Sequence, residues 1–313
     1  MRKTSLHEVY KLAQKDERVI FVGSDLGHGA LDEFKHDFPE RFFMEGVSEQ
    51  HLISFMAGMA LSGKIPYFNT IAIFTYRRCL EQVILDLGMH NLSVRLIGSG
   101  GGYVYSPLGP THLATDDIAI LRTVPNMTIV AVADATEMER FMPQTLDWPG
   151  PMYIRLAKGG DPIVTDPSKP FKIGKAIVMK RGDDVAFFTT GITLSLAQEA
   201  SAILEKVGIH SSIVHVHTIK PLDTETILAT MDTVRAVISL EEGTIIGGLG
   251  SAIAELIAEA NFSKPKRLKR LGLPDLFTEK YGKQLDQMAY YGLNKDNVVK
   301  VAKELLENST KGR

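Results

Sequence analysis

The feature that most constrains this chain is its rhythm. Short apolar runs of strand length alternate with segments patterned at helical spacing through most of its 313 residues. Strands that alternate with helices pair in parallel, because each helical crossover carries the chain back to start the next strand in the same direction. Residues 18–23, 65–73, 94–97, 127–132 and 152–154 read as strands. Between them, residues 50–63 place Leu52, Phe55, Met56, Met59 and Ala60 on one helical face. A second helix is expected over 80–89, and a third begins at Asp134, an N-cap residue with Glu137 three positions on. Residues 159–172 interrupt the pattern with Gly159-Gly160-Asp161-Pro162 and Asp166-Pro167-Ser168-Lys169-Pro170, which is loop chemistry. The alternation then restarts, with strands expected at 185–188, 212–217, 234–240 and 266–271 and helices at 194–207 and 250–260. The expected fold class is α/β: two α/β domains with mostly parallel sheets, over residues 1–160 and 173–313, and a polar tail from 305 onward that frays.

Composition removes several classes of function. Thirty-five Lys and Arg stand against 37 Asp and Glu, so no basic excess suits the chain to nucleic acid. No apolar run is long enough to span a bilayer, and the first eight residues lack the apolar segment of a secretory signal. The single cysteine, Cys79, excludes an intrachain disulfide framework and an all-cysteine metal site. The expectation is a soluble, cytoplasmic protein with no nucleic-acid or membrane partner and no metal site of its own.

Three segments carry chemistry. In Gly46-Val47-Ser48-Glu49-Gln50-His51, Glu49 falls at a helix start, where exposed N–H groups and the helix dipole favour a carboxylate. It is either a capping glutamate or an acid held for function. His51 alone reads equally as a packed histidine. The glycine-rich stretch Gly98-Ser99-Gly100-Gly101-Gly102 gives a core nothing to pack, and suits backbone that approaches a ligand or another subunit closely. Gly109-Pro110-Thr111-His112 follows it, and His112 is a candidate acid or base.

Taken together these segments resemble the transketolase family of thiamine-diphosphate enzymes, specifically its pyrimidine-binding and C-terminal domains. The resemblance rests on Gly46-Val47-Ser48-Glu49-Gln50-His51, Ile73-Phe74-Thr75-Tyr76-Arg77-Arg78-Cys79-Leu80-Glu81-Gln82, Gly109-Pro110-Thr111-His112, Leu121-Arg122-Thr123-Val124-Pro125-Asn126-Met127 and Ile219-Lys220-Pro221-Leu222-Asp223, in the family's order. It implies that Glu49 hydrogen-bonds N1′ of the cofactor's aminopyrimidine and exchanges a proton with it. It places Phe74 on the pyrimidine face, with Tyr76 as the alternative, and puts Asp25, Leu26 and Arg78 around the cofactor. Asp25 reads otherwise as an Asx-turn residue. On the substrate side the resemblance places His112, Lys158, Arg2 and His28. Two departures stand out: the family's second strand aromatic falls at Ile71, and the aspartate that reads a substrate hydroxyl falls at Leu108. A second histidine expected in the glycine-rich loop is replaced near Gly100.

The family's diphosphate-binding motif, a Gly-Asp-Gly followed by an asparagine, has no counterpart here. Gly182-Asp183-Asp184 comes nearest, with no matching asparagine, and the glycine-rich run 243–250 before a helix reads as a tight turn and cap. The resemblance therefore implies the C-terminal subunit of a split transketolase. Thiamine diphosphate would bind between subunits, with Mg2+ or Ca2+ held by a partner carrying the diphosphate-binding domain. Self-association would give an α2β2 assembly on a sugar substrate, burying loop 98–102 and the apolar residues Leu52, Ile53, Phe55 and Met56 at an interface. The rival readings are an α-keto-acid donor, as in deoxyxylulose-phosphate synthase or keto-acid dehydrogenase β subunits, and a non-catalytic scaffold that kept the fold.

Overall fold

The computed structural model describes residues 1–24, 29, 31–157 and 159–307. The N-terminal part runs α1 (Arg2–Lys15), β1 (Val19–Gly23), α2 (Asp32–Asp37), β2 (Phe42–Met44), α3 (Glu49–Leu61), β3 (Ile65–Ile71), α4 (Leu80–Gln82), β4 (Arg95–Ser99), α5 (Asp117–Arg122), β5 (Thr128–Ala131), α6 (Ala135–Phe141) and β6 (Met152–Leu156). The C-terminal part follows as β7 (Ile177–Lys180), β8 (Val185–Thr189), α7 (Thr193–Glu205), β9 (Ser211–His215), β10 (Thr218–Lys220), α8 (Thr224–Thr233), β11 (Ala236–Thr244), α9 (Leu249–Glu259), β12 (Arg267–Leu273), α10 (Gln284–Tyr290) and α11 (Lys295–Glu307). Two sheets result, ordered β10-β5-β6-β4-β3-β1-β2 and β12-β11-β8-β9-β7. Only the edge strands β10 and β7 pair antiparallel, so the mixed α/β architecture with mostly parallel sheets is as expected.

Strand side chains alternate between the faces of the first sheet, and the sequence obeys that period of two. Ile20, Val22, Phe68 and Leu96 join Leu52, Ile53 and Met56 of α3 in one core. Their neighbours Val19, Phe21, Tyr67 and Ile97 point the other way and meet Leu6, Val9 and Leu12 of α1 in a second core. Both faces are covered, which is why these strands are apolar throughout. Leu52, Ile53 and Met56 are fully buried in this chain's own core, and only Phe55 is partly exposed. The expectation that they are held for a subunit interface is thus corrected: the facing strands β1, β3 and β4 already cover them.

Three local expectations also change. The helix expected over 80–89 is α-helical only at Leu80–Gln82 and then widens into a π-helix over Val83–Met89. Gly88 sits against Val124 there, where a Cβ would lie 2.9 Å from that side chain. The strand expected to reach residue 73 ends at Ile71, and the chain turns through a 3-10 segment, Ala72–Thr75. The tail does not fray at 305, since α11 continues to Glu307 with Leu306 buried. Residues 308–313 lie outside the described residues.

Two elements tie the halves together. β10, from the C-terminal half, completes the edge of the N-terminal sheet by pairing with β5. Beside it, Glu137 of α6 meets His215 at 3.0 Å, and Phe171 stacks on His217 at 3.9 Å. Burial pushes the His217 imidazole down to about 3, so it is neutral at physiological pH. Asp134 caps α6 as expected, accepting from Glu137 N at 2.9 Å, and it also accepts from Val164 N and Thr165 N at 2.8 and 2.7 Å. Burial opposes its charged form, but these N–H donors outweigh it and hold the carboxyl below its ordinary range. Asp134→Ala leaves the donors unpaired in a buried place. Urea unfolding at neutral pH should show a loss of about 2–4 kcal/mol.

Candidate functional site

The candidate site stands beyond the C-terminal ends of β1, β3 and β4, where loops of a parallel sheet gather. Glu49 is the first residue of α3 and is 1% exposed, although it sits at a helix start. Its Oε2 accepts from Arg78 Nη1 at 2.7 Å. Arg78 reaches it because the chain turns sharply after β3. Thr75 Oγ1 donates to Ala72 O at 2.6 Å, and Arg77 N donates to Ile73 O at 3.1 Å. The turn buries Tyr76, whose hydroxyl donates to Asp116, and leaves Phe74 half-exposed at the rim. Of the two aromatics weighed from sequence, Phe74 therefore faces the site and Tyr76 belongs to the core. The Arg78 guanidinium carbon lies 4.2 Å from the Phe74 ring centre. His112 meets the same ring edge-on, with centroids 5.4 Å apart. Four residues selected from three separate sequence segments are thus joined in one line: Glu49, Arg78, Phe74 and His112.

The loop that carries His112 is held from within. A 3-10 turn, Ser106–Leu108, ends at Gly109, whose φ of 79° is left-handed. Gly109 O accepts from His112 N at 3.0 Å, and Thr111 Oγ1 lies 2.9 Å from His112 Nδ1. Leu108 stands at this rim, 52% exposed.

The glycine-rich loop has a different role from the one expected. Gly100, Gly101 and Gly102 are buried inside the chain, between its two halves. A Cβ on Gly101 would fall 2.6 Å from Arg155 Nε, and one on Gly102 2.3 Å from the Glu242 carboxyl carbon. The loop is bare so that a buried charge cluster can close over it. Arg155 Nε donates to Asp117 at 2.7 Å, Tyr153 donates its hydroxyl to the same oxygen at 2.7 Å, and Arg155 Nη2 donates to Glu242 O at 2.6 Å. Glu242 accepts from Tyr103 N at 2.8 Å and Gln284 Nε2 at 2.7 Å. Burial pushes the Glu242 carboxyl up to about 7, although the Arg155 charge and the Gln284 and Tyr103 donors pull the other way. Glu241 is likewise pushed up to about 7 by burial. It accepts from Leu249 N and Gly250 N at 2.8 Å each, so the start of α9 is filled by the chain's own carboxyl. This cluster escaped the sequence reading. Its only signal was Tyr153 and Arg155 on alternate positions of an otherwise apolar strand.

Of the remaining expected site residues, Arg2 does not join the Glu49 line. Arg2 opens α1 on the opposite face of the sheet, beside Met1, which packs with Leu156 and Ala157. Asp25, Leu26, His28 and Lys158 lie outside the described residues. Ile71 is buried in the core, and His51 is exposed with its ring stacked on Phe55 at 6.4 Å. Among the described residues no group of His, Cys, Asp and Glu is placed to hold a metal ion. No helix among them is long and apolar enough to cross a membrane.

The family model for the transketolase pyrimidine-binding domain matches residues 1–160, and the model for the transketolase C-terminal domain matches residues 174–298. The chain belongs to the transketolase family. It is 33% identical over 308 residues to a 6-deoxy-6-sulfo-D-fructose transketolase subunit of Clostridium sp. (strain MSTE9), covering 98% of this chain and 94% of that one. It is 32% identical to an apulose-4-phosphate transketolase subunit of Phocaeicola vulgatus, covering 98% and 97%. A 1-deoxy-D-xylulose-5-phosphate synthase of Symbiobacterium thermophilum is 35% identical, but the chain spans only 45% of it. Among solved structures, a split-gene transketolase described as an inactive β4 tetramer superposes with a TM-score of 0.89 at 32% identity, covering 98% of both chains. A transketolase from Pichia stipitis, at 17% identity and a TM-score of 0.77, shares the fold over 46% of its length. Transketolases of this family depend on thiamine diphosphate.

The transketolase fold here carries a pH signature. An acid whose folded value is raised stabilises the chain fully below its ordinary range near 4.5, and that stability is lost as pH rises through about 7. Glu242→Gln removes one such acid. Between about pH 5 and about pH 8, unfolding free energy should fall less steeply in the variant than in the unaltered chain when both are followed by urea titration.

Proposed function

We propose that this chain is the pyrimidine-domain subunit of a split, thiamine-diphosphate-dependent transketolase, which moves a two-carbon ketol unit from a ketose to an aldehyde. Residues 1–160 would form the pyrimidine-binding domain and 173–313 the C-terminal domain. One observation carries the reading. Glu49 and Phe74 hold between them a planar cation with N–H donors, the Arg78 guanidinium, hydrogen-bonded to the carboxyl and lying over the ring. A carboxyl and an aromatic face that share one planar N–H donor group suit an aminopyrimidine by the same two contacts, so the residues present fit the group.

When bound, the cofactor supplies a carbanion nucleophile and an electron sink for the two-carbon unit. This chain's residues then hold and move protons. Glu49, buried and fixed at the start of α3, would exchange one with the pyrimidine N1′. Phe74 would orient the ring, Asp25 and Leu26 would shape its edge, and Arg78 would give up its place between Glu49 and Phe74 and border the ring from the side. His112, with Nδ1 engaged by Thr111, would present Nε2 to a substrate oxygen. Lys158 and His28 would meet the sugar's more distant groups, while Arg2, on the opposite face of the sheet, takes no part. Leu108, at the place of an acid that reads a hydroxyl, favours a substrate that is less polar there than an ordinary pentose phosphate.

The diphosphate group and its Mg2+ or Ca2+ would be held by a partner subunit, in an α2β2 assembly in the cytoplasm. The subunit names of the relatives and the tetramer of the split-gene neighbour support this division. Purified alone, the chain should have negligible ketol-transfer activity. Mixed with a diphosphate-domain subunit it should gain mass in sedimentation and activity on a ketose donor. In that complex Glu49→Gln should lower turnover by about 10²–10⁴-fold with the melting temperature unchanged. Full activity of the chain alone, or of the Gln variant, would exclude this mechanism, and turnover only with pyruvate would move it to an α-keto-acid donor.

A further inference from the structure

We infer that Tyr281, in the C-terminal half, is a positioning residue for His112, which makes the second domain a working part of the site. This rests on the reading of His112 as the group that meets substrate. The path runs through Gly109. A Cβ built there would lie 2.7 Å from Tyr281 Cε1 and 3.0 Å from its Cζ and hydroxyl oxygen, so the tyrosine edge lies directly on the glycine backbone. Gly109 is the pivot of the loop. Its N–H donates to Ser106 O at 3.0 Å, and its carbonyl accepts from His112 N at 3.0 Å. Its left-handed φ of 79° suits glycine, and with no Cβ the backbone lets a neighbouring ring come into direct contact. Tyr281 makes that contact and adds an outside wall to a turn already closed by its own hydrogen bonds.

Tyr281 is itself held. Its carbonyl accepts from Gln287 Nε2 at 2.9 Å, and Gln287 is 3% exposed. Gln284, three residues on from Tyr281, donates to Glu242, which also accepts from Tyr103 N at the start of the His112 loop. Tyr291 stacks on Tyr103 with ring centres 6.0 Å apart and planes 12° from parallel. Residues 281–291 therefore grip the 103–112 loop at both of its ends. The Tyr281 ring is 66% exposed, so it closes no core of its own, and the contact with Gly109 accounts for its place.

The test needs no partner subunit for its first arm. The His112 ring resonance is assigned in a proton–carbon correlation spectrum by its loss in His112→Gln. Tyr281→Ala should move or broaden that resonance by more than its linewidth, Tyr281→Phe should leave it in place, and Phe277→Ala, an exposed aromatic on the same segment, should also leave it. In the complete enzyme, Tyr281→Ala should lower kcat by about 10- to 100-fold, with Tyr281→Phe restoring it, because small misplacements of a reacting group cost that much. A His112 resonance unmoved in Tyr281→Ala, or moved equally by Phe277→Ala, overturns the inference. Either result leaves the Glu49→Gln outcome, and the proposed reaction, to stand or fall separately.

Discussion

Arg155 is buried, and the polar groups it meets come from different parts of the chain. Strand β6 brings it to the sheet's end, α5 supplies Asp117, and β11 supplies the carbonyl and carboxyl of Glu242. Removing a charge from water costs several kcal/mol, so such a guanidinium is tolerated only where its partners are all in place. That requirement fixes the bare glycine loop beneath it, the approach of the second half, and through Glu242 the anchoring of Tyr103. The loop that ends in His112 begins at this knot.

Much of the fold was legible because parallel sheets covered on both faces need apolar strands, and the helices between them announce their buried sides. Ile20 and Val22 against Leu52 and Met56 follow from spacing alone. Helix α1 was missed, although Leu6, Val9, Leu12 and Ala13 lie at helical spacing, because no strand precedes it to set the alternation. The π-helix after α4 was beyond any spacing rule, and it brings Gly88 against Val124, a residue far off in the chain. For the site, motif order brought together Glu49, Phe74, Arg78 and His112. Spacing could not show that Leu52, Ile53 and Met56 were already used by the chain's own core. It also could not show that Gly101 and Gly102 are bare to admit Arg155 and Glu242, because those contacts join residues far apart in the chain.

The Glu49 line illustrates how a site is made ready by ordinary packing. A buried carboxyl at a helix start is favoured by the dipole but lacks water. Arg78 answers it from a turn whose geometry Thr75 and Tyr76 fix, and the same turn lifts Phe74 to the rim. One local backbone bend thus places a cation, an aromatic face and, across from them, an imidazole edge.

β10 carries a consequence for how the chain comes to be folded. The open side of β5 is closed only by residues 218–220, although every other strand of that sheet has been made by residue 156. A growing chain that has formed the rest of this sheet therefore leaves the β5 edge open until the linker and β7, β8 and β9 of the second sheet have followed. Exposed edges of this kind recruit other strands. The two halves match separate family domains but share this sheet, and a fragment that stops at the end of the first half would keep the β5 edge open permanently.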